Sequence, residues 1–251
     1  MFDALKSTLG LARSLVIYRR PGRQRSLRKF YERFVEPGDL VFDVGAHLGD
    51  RTSAFSALGA SVIALEPQPK LFRWLKRLTS SDENVICLDQ AVGSEPGTLE
   101  LAASLANPTV ASLSKEWTSR VSHGQAGFES VRWDRQIPVD VTTLDCLIER
   151  FGDPAFCKID VEGFEPEVLK GLSRPLPALS IEFLNGALDQ TMACVDILAA
   201  LDKYRYQVVK GEQRTFFLHE WLDADEIKQW LAAGAGGLSS GDLYARREQD
   251  R

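Results

Sequence analysis

The chain has 251 residues, 44% of them hydrophobic and 26% charged, with a formal net charge of −5. That length buries a full core within one domain, and the acidic balance excludes a surface that attracts nucleic acid or anionic membrane over its whole extent. Cys87, Cys146, Cys157 and Cys194 show no Cys-x-x-Cys spacing, which excludes a zinc ribbon or disulfide framework and points to reduced thiols in a cytoplasmic protein.

In chain order, residues 1–36 come first as a basic segment, with nine Lys or Arg against Asp3, Glu32 and Glu36. Leu5, Leu9, Ala12 and Val16 recur at helical spacing, so a helix is predicted there. It either packs with a solvated basic face or makes peripheral contact with a membrane or acidic partner. Its longest apolar run, Leu15-Val16-Ile17-Tyr18, falls far short of the roughly 20 residues a membrane span needs or a signal-peptide core.

From residue 37 the chain alternates. Strands are predicted at 40–44, 61–65, 84–88, 155–159 and 179–183, and helices at 52–58, 69–78, 143–150, 165–170 and 192–201. Short continuous apolar runs alternating with helices read as buried parallel strands. Residues 103–136 break this rhythm: they are polar, hold Trp117, His123 and Trp133, and are expected to be an insertion or lid. Strands at 206–209 and 215–218, separated by Lys210-Gly211-Glu212-Gln213-Arg214, suit a closing antiparallel hairpin. The domain is thus predicted to run over 37–231, with 232–251 as a frayed tail.

The most informative segment is Val41-Phe42-Asp43-Val44-Gly45-Ala46-His47-Leu48-Gly49-Asp50, an apolar strand running into Asp-x-Gly-x-x-x-Gly and a helix. Glycines there let a ligand approach the backbone, and the helix start offers free N–H groups to an anion. Asp43 is expected to order the loop and a ligand amine. Glu66 ends the second strand, where an acid can accept both ribose hydroxyls of an adenosine. Asp89-Gln90, followed by Ala91, ends the third strand and can meet an adenine edge. The turn lacks the Gly-x-Gly-x-x-Gly of nicotinamide enzymes, and no Walker Gly-Lys-Ser/Thr follows.

Five ordered runs carry a resemblance to a known family: Phe42-Asp43-Val44-Gly45-Ala46, Leu65-Glu66-Pro67, Gln90-Ala91-Val92-Gly93, Val141-Thr142-Thr143-Leu144-Asp145 and Lys158-Ile159-Asp160-Val161-Glu162-Gly163. Together, over residues 38–184, the chain resembles the FkbM family of methyltransferases. The resemblance implies a doubly wound, mostly parallel α/β sheet of the Rossmann-like class I methyltransferase type. It also implies S-adenosyl-L-methionine as cofactor and transfer of a methyl group to oxygen on a sugar, glycan or natural product. Asp43, Gly45, Ala46, His47, Gly49, Glu66, Pro67, Asp89, Gln90, Ala91 and Asp160 then form the expected cofactor site. His47-Leu48 stands where the family commonly has other residues.

Methyl transfer requires the acceptor oxygen in line with the leaving sulfur, and a base for its proton. Lys158, Asp160 and Glu162 lie at the carboxyl end of the fourth strand, the edge where open α/β sheets place their sites. Asp160 is expected at the reacting end, Glu162 or Glu165 as orienting group or base, and Lys158 either as partner of a carboxylate or as a cation that steadies charge developing on the acceptor oxygen. Glu165 reads equally as a first-turn helix charge. His47 is a second candidate base, and Glu182 with Asp160 offers oxygen ligands to a divalent ion, leaving the metal question open. Trp117, His123 and Trp133 are candidate stacking groups for an acceptor. A nucleic-acid methyltransferase docking through residues 1–36, or an inactive cofactor-binding module, are the competing functions. The acidic body and the missing Asn-Pro-Pro-Tyr signature argue against the first.

Overall fold

The computed structural model describes residues 22–104, 111–114, 117–119, 131 and 133–248. The predicted helix before residue 22 and His123 lie outside them. Seven strands form the main sheet: β1 (Leu40–Val44), β2 (Ser61–Leu65), β3 (Val85–Leu88), β8 (Phe156–Ile159), β9 (Ala178–Leu184), β10 (Tyr204–Lys210) and β11 (Ser240–Arg247). Their order is β10-β11-β9-β8-β1-β2-β3. All neighbours are parallel except β11, which runs antiparallel to both β9 and β10.

Strand side chains alternate between two helical layers. Phe42, Val44, Cys157 and Ile159 face α4 (Leu144–Phe151), α5 (Glu165–Lys170), α6 (Leu188–Leu201) and α7 (Ala224–Ala232). Val41, Val62, Phe156 and Tyr244 face α1 (Arg23–Tyr31) and α2 (Asp50–Ser56), and α3 (Pro69–Leu78) covers Ala46 and Ala64 through Leu75. Aromatic rings fill the second layer, with Tyr31 and Phe55 at 4.5 Å and Phe30 and Tyr244 at 5.3 Å between centroids. Each such buried ring stabilises the fold by about 1.5–3 kcal/mol. Residues 22–36 of the basic segment are thus a helix and its exit packed on this layer.

A second sheet sits beside the cofactor edge, ordered β4 (Ala91–Val92), β7 (Arg135–Thr142), β5 (Gly97–Ala103) and β6 (Ala111–Ser112). β5 and β7 are antiparallel from Gly97↔Val141 to Ala103↔Arg135. The ends of the expected insertion are thus sheet-bound.

Two expectations are corrected. The segment from 232, expected to fray, supplies β11, whose Leu243, Tyr244 and Ala245 are buried between two neighbours. The sheet partner of β10 is that strand; residues 215–218 form no strand and meet β10 through the Val209–Phe216 bridge, the Phe217 N–H donated to the Val208 carbonyl and the Gln207 side chain bonded to Leu218.

Candidate active site

A cavity of about 300 Å³ opens at the carboxyl ends of the parallel strands. Its floor is the turn after β1. Gly45 has φ 78°, and a Cβ there would lie 1.8 Å from the Asp160 carbonyl oxygen, so no other residue fits without moving that strand end. Gly45 and Ala46 donate their N–H groups to the Leu65 carbonyl at 3.0 and 2.8 Å, and Asp160 donates to Val44 at 3.0 Å, which clamps three strand ends together.

Glu66 stands at one end of the cavity. His47 donates its N–H to Oε2 at 3.0 Å and Gln68 to Oε1 at 2.9 Å, leaving each oxygen a further lone pair for a hydroxyl. Burial raises this carboxyl to about 7 despite the two donors. Pro67, Gln90 and Ala91 continue the wall. Asp89 is exposed and does not line the cavity. Asp43, Ala46 and Gly49 are not lining groups either. Asp43 is fully buried and accepts the Thr52 hydroxyl at 2.6 Å, so it braces β1 against α2 and does not reach toward a ligand amine. Gly49 is the left-handed residue before α2, packed on Leu75.

Asp160, Glu162 and Glu182 form the other end. Their ligand oxygens lie within 4.8 Å of one another, spacing that suits a hard divalent cation or a shared proton. Lys158 donates to Asp160 at 2.8 Å. Burial works against the Lys158 charge, but Asp160 and Asp43 overcome it and hold the ammonium above its usual range. Burial also opposes the Asp160 charge, yet Lys158 keeps that carboxyl below its usual value. Glu162 and Glu182 go the other way, pushed well up by burial and by the Asp160 charge. One strand edge thus sets a carboxyl whose charge is favoured beside two whose charge is disfavoured.

Glu165 serves the loop and not an acceptor: its Oε1 accepts from Val161 N–H at 3.1 Å and Gly163 N–H at 3.3 Å, and burial raises it to about 7. Glu162 itself takes a left-handed φ of 54°, with its carbonyl accepting the Ser112 hydroxyl at 2.6 Å. His47 is a poor base because burial lowers its imidazole to about 4. Trp117 is 1% exposed, packed edge-on to Trp133 at 5.9 Å and against Gly163. It supports the Glu162 loop from behind and offers no face to an acceptor.

The sequence reading missed Arg51, Gln68, Phe164 and Glu212, all lining groups. Arg51 left one signal: a cation in the first turn of a helix opposes the macrodipole and needs a reason to be there. Glu212 left none, since a turn after β10 carries it in.

A sheet in this order, with a glycine turn after the first strand, a buried acid after the second and an acidic strand end on the same edge, has the Rossmann-like methyltransferase architecture. The methyltransferase FkbM domain model matches residues 43–233, and the chain belongs to that family. The hexuronic acid methyltransferase AglP of Haloferax volcanii is 28% identical over 165 residues, covering 63% of this chain and 60% of that one, so the chain spans under two thirds of this relative's length. Among solved structures, a precorrin-6y C5,15-methyltransferase from Geobacter metallireducens is similar at a TM-score of 0.45 and 14% identity, covering 90% and 88% of the two chains. A SAM-dependent O-methyltransferase from Thermotoga maritima reaches 0.45 at 10% identity, covering 92% and 66%. Among the described residues no helix is long and apolar enough to cross a membrane.

Proposed function

We propose that the protein methylates a hydroxyl of a sugar, glycan or natural product with S-adenosyl-L-methionine as donor. The observation that carries this is a single cavity with Glu66 at one end and the Asp160, Glu162 and Glu182 carboxyls at the other. The residues fit the cofactor: the Gly45 turn lines the cavity with bare backbone, and Glu66 presents oxygens already aimed by two backbone N–H groups. Glu66 would hold the ribose, Gln90 and Ala91 the adenine edge, and the Gly45 turn the amino-acid end. The bound cofactor supplies an electrophilic methyl on a sulfonium. Asp160, kept anionic by Lys158, fixes the acceptor hydroxyl. Glu162 or Glu182, once ionised, takes its proton as the new O–C bond forms and the S–C bond breaks. That AglP methylates hexuronic acid supports a sugar acceptor. Five lining carboxyls against Arg51 disfavour a polyanionic nucleic acid.

The test is calorimetric titration with S-adenosyl-L-methionine and with NAD, followed by transfer of labelled methyl to a panel of hexoses and hexuronates. Binding of the first only, with label in an acid-stable ether, is expected. Asp160→Asn should lower turnover by about 10²–10⁴-fold while leaving cofactor affinity within a few-fold. Because burial and the Asp160 charge raise the base above the usual carboxylate range, turnover should climb with pH at values above that range. Label absent from every hydroxyl, or an Asp160→Asn loss equal in binding and turnover, overturns the assignment. Complete loss on chelation, restored by magnesium, would reassign the three carboxylates to a cation.

A further inference from the structure

Away from the three crowded carboxyls, the cavity borders a cluster of arginines. Arg51 and Glu212 line it together, and Glu212 gathers three guanidiniums: Arg23 at 3.1 Å, Arg51 at 3.2 Å and Arg214 at 3.2 Å. Asp50 takes Arg23 at 2.6 Å and Arg51 at 3.4 Å. Asp242 also acts on Arg51, so three cations face three carboxylates and neither sign is in surplus. The cations are not fully satisfied, however: the Nε atoms of Arg51 and Arg214 are buried with no hydrogen-bond partner among the described residues. An unmet donor on a buried charged group is costly to keep.

The two signs differ in how they are held. The arginine side chains are 12, 16 and 19% exposed, whereas that of Glu212 is 58% exposed. Arg23 and Arg51 stand on α1 and α2, with Gln24 also fixing Asp50 at 2.8 Å. Glu212 sits on the turn after β10, next to Gly211 with φ 45° and open space around it. Its carboxylate can swing out without breaking a helix or strand. Guanidinium forks match a carboxylate in two parallel bonds, and these are partly filled by the chain's own side chain.

We infer that Arg51, which lines the cavity, with Arg23 and Arg214 beside it on Glu212, forms a carboxylate-binding subsite at the cavity's edge, and that Glu212 is its resident occupant, displaced by the carboxylate of a ligand. The inference rests on the methyltransferase reading, because that reaction brings two molecules into the cavity. The carboxylate belongs either to an acidic acceptor such as a uronate or to the amino-acid end of the cofactor.

The experiment uses the full chain and the variants Glu212→Gln and Arg51→Gln, titrated with D-glucuronate against D-glucose and with S-adenosylhomocysteine against 5′-methylthioadenosine, which lacks the carboxylate. Glu212→Gln should tighten one carboxylate ligand about tenfold, and Arg51→Gln should weaken it about tenfold, the scale of one charge-assisted hydrogen bond. Glucose and methylthioadenosine should not respond. A glucuronate response assigns the subsite to the acceptor, and a selective S-adenosylhomocysteine response assigns it to the cofactor. A Glu212→Gln protein that melts normally yet binds both carboxylates no more tightly overturns the subsite. Failure of both nucleosides to bind the native chain sinks the methyltransferase reading instead.

Discussion

Glu66 illustrates how one side chain carries two conflicting demands. Burial favours its neutral form and brings the carboxyl to about 7, yet a ribose diol is best held by the anion. The sign follows directly: a raised acid is mostly protonated at pH 6 and mostly ionised at pH 8. Cofactor affinity should therefore rise about tenfold over that range, a ratio set by the ionised fraction at each end. Glu66→Gln should bind with no such pH dependence, and Glu66→Ala should weaken binding by about 1–3 kcal/mol. Calorimetry at three pH values reads both, and a flat profile in the native chain would remove Glu66 from the ribose. The other residue-scale lesson concerns Asp43 and Asp89. Both were placed at the ligand by their strand-end position, but the pleat decides which way a side chain points. Asp43 points along the face of Val41 into α2, and Asp89 points outward.

At the scale of elements, the support of the Glu162 loop is indirect. Gly163 has φ 84°, and a Cβ there would lie 2.1 Å from the Trp117 ring, so Trp117 and the loop fit each other with no space between. Trp117→Ala should destabilise the chain by about 3–5 kcal/mol, as truncation of a buried indole does, and lower turnover more than cofactor affinity. Urea unfolding checks the first part; near-native stability would return Trp117 to the acceptor side. Elements whose burial is written in their own residues were legible: β1, β2, β8 and β9 are continuous apolar runs because helices cover both faces. β11 was not, since Ser240, Gly241 and Asp242 open it and Arg246-Arg247 close it. Its place is set by fit, for a Cβ on Gly241 would approach the Val209 carbonyl to 2.4 Å. The Gly-turn, Glu66 and Asp160 were readable because each follows its strand by a fixed few residues. The arginine cluster was not, because α1, α2 and the turn after β10 meet only in space.

For the whole molecule, β11 joins β10 to the rest of the sheet, as β10 has no other strand partner in it. Ending the chain at residue 238 should leave β10 without its neighbour in the sheet and abolish cooperative thermal unfolding, read by circular dichroism. A truncated chain that melts at the native midpoint would show that β9 can close the sheet alone. Both Leu243 and Ala245 also belong to the main apolar cluster, so the loss extends beyond hydrogen bonds. The same insertion imposes an order of events during synthesis. β9 and β10 emerge from the ribosome well before the strand that separates them, and until residues 240–247 follow, β9 displays an open edge able to pair with the wrong strand. A nascent chain stalled in that interval is a natural client for a chaperone that shields sheet edges, and fast translation of its last forty residues would shorten the exposure.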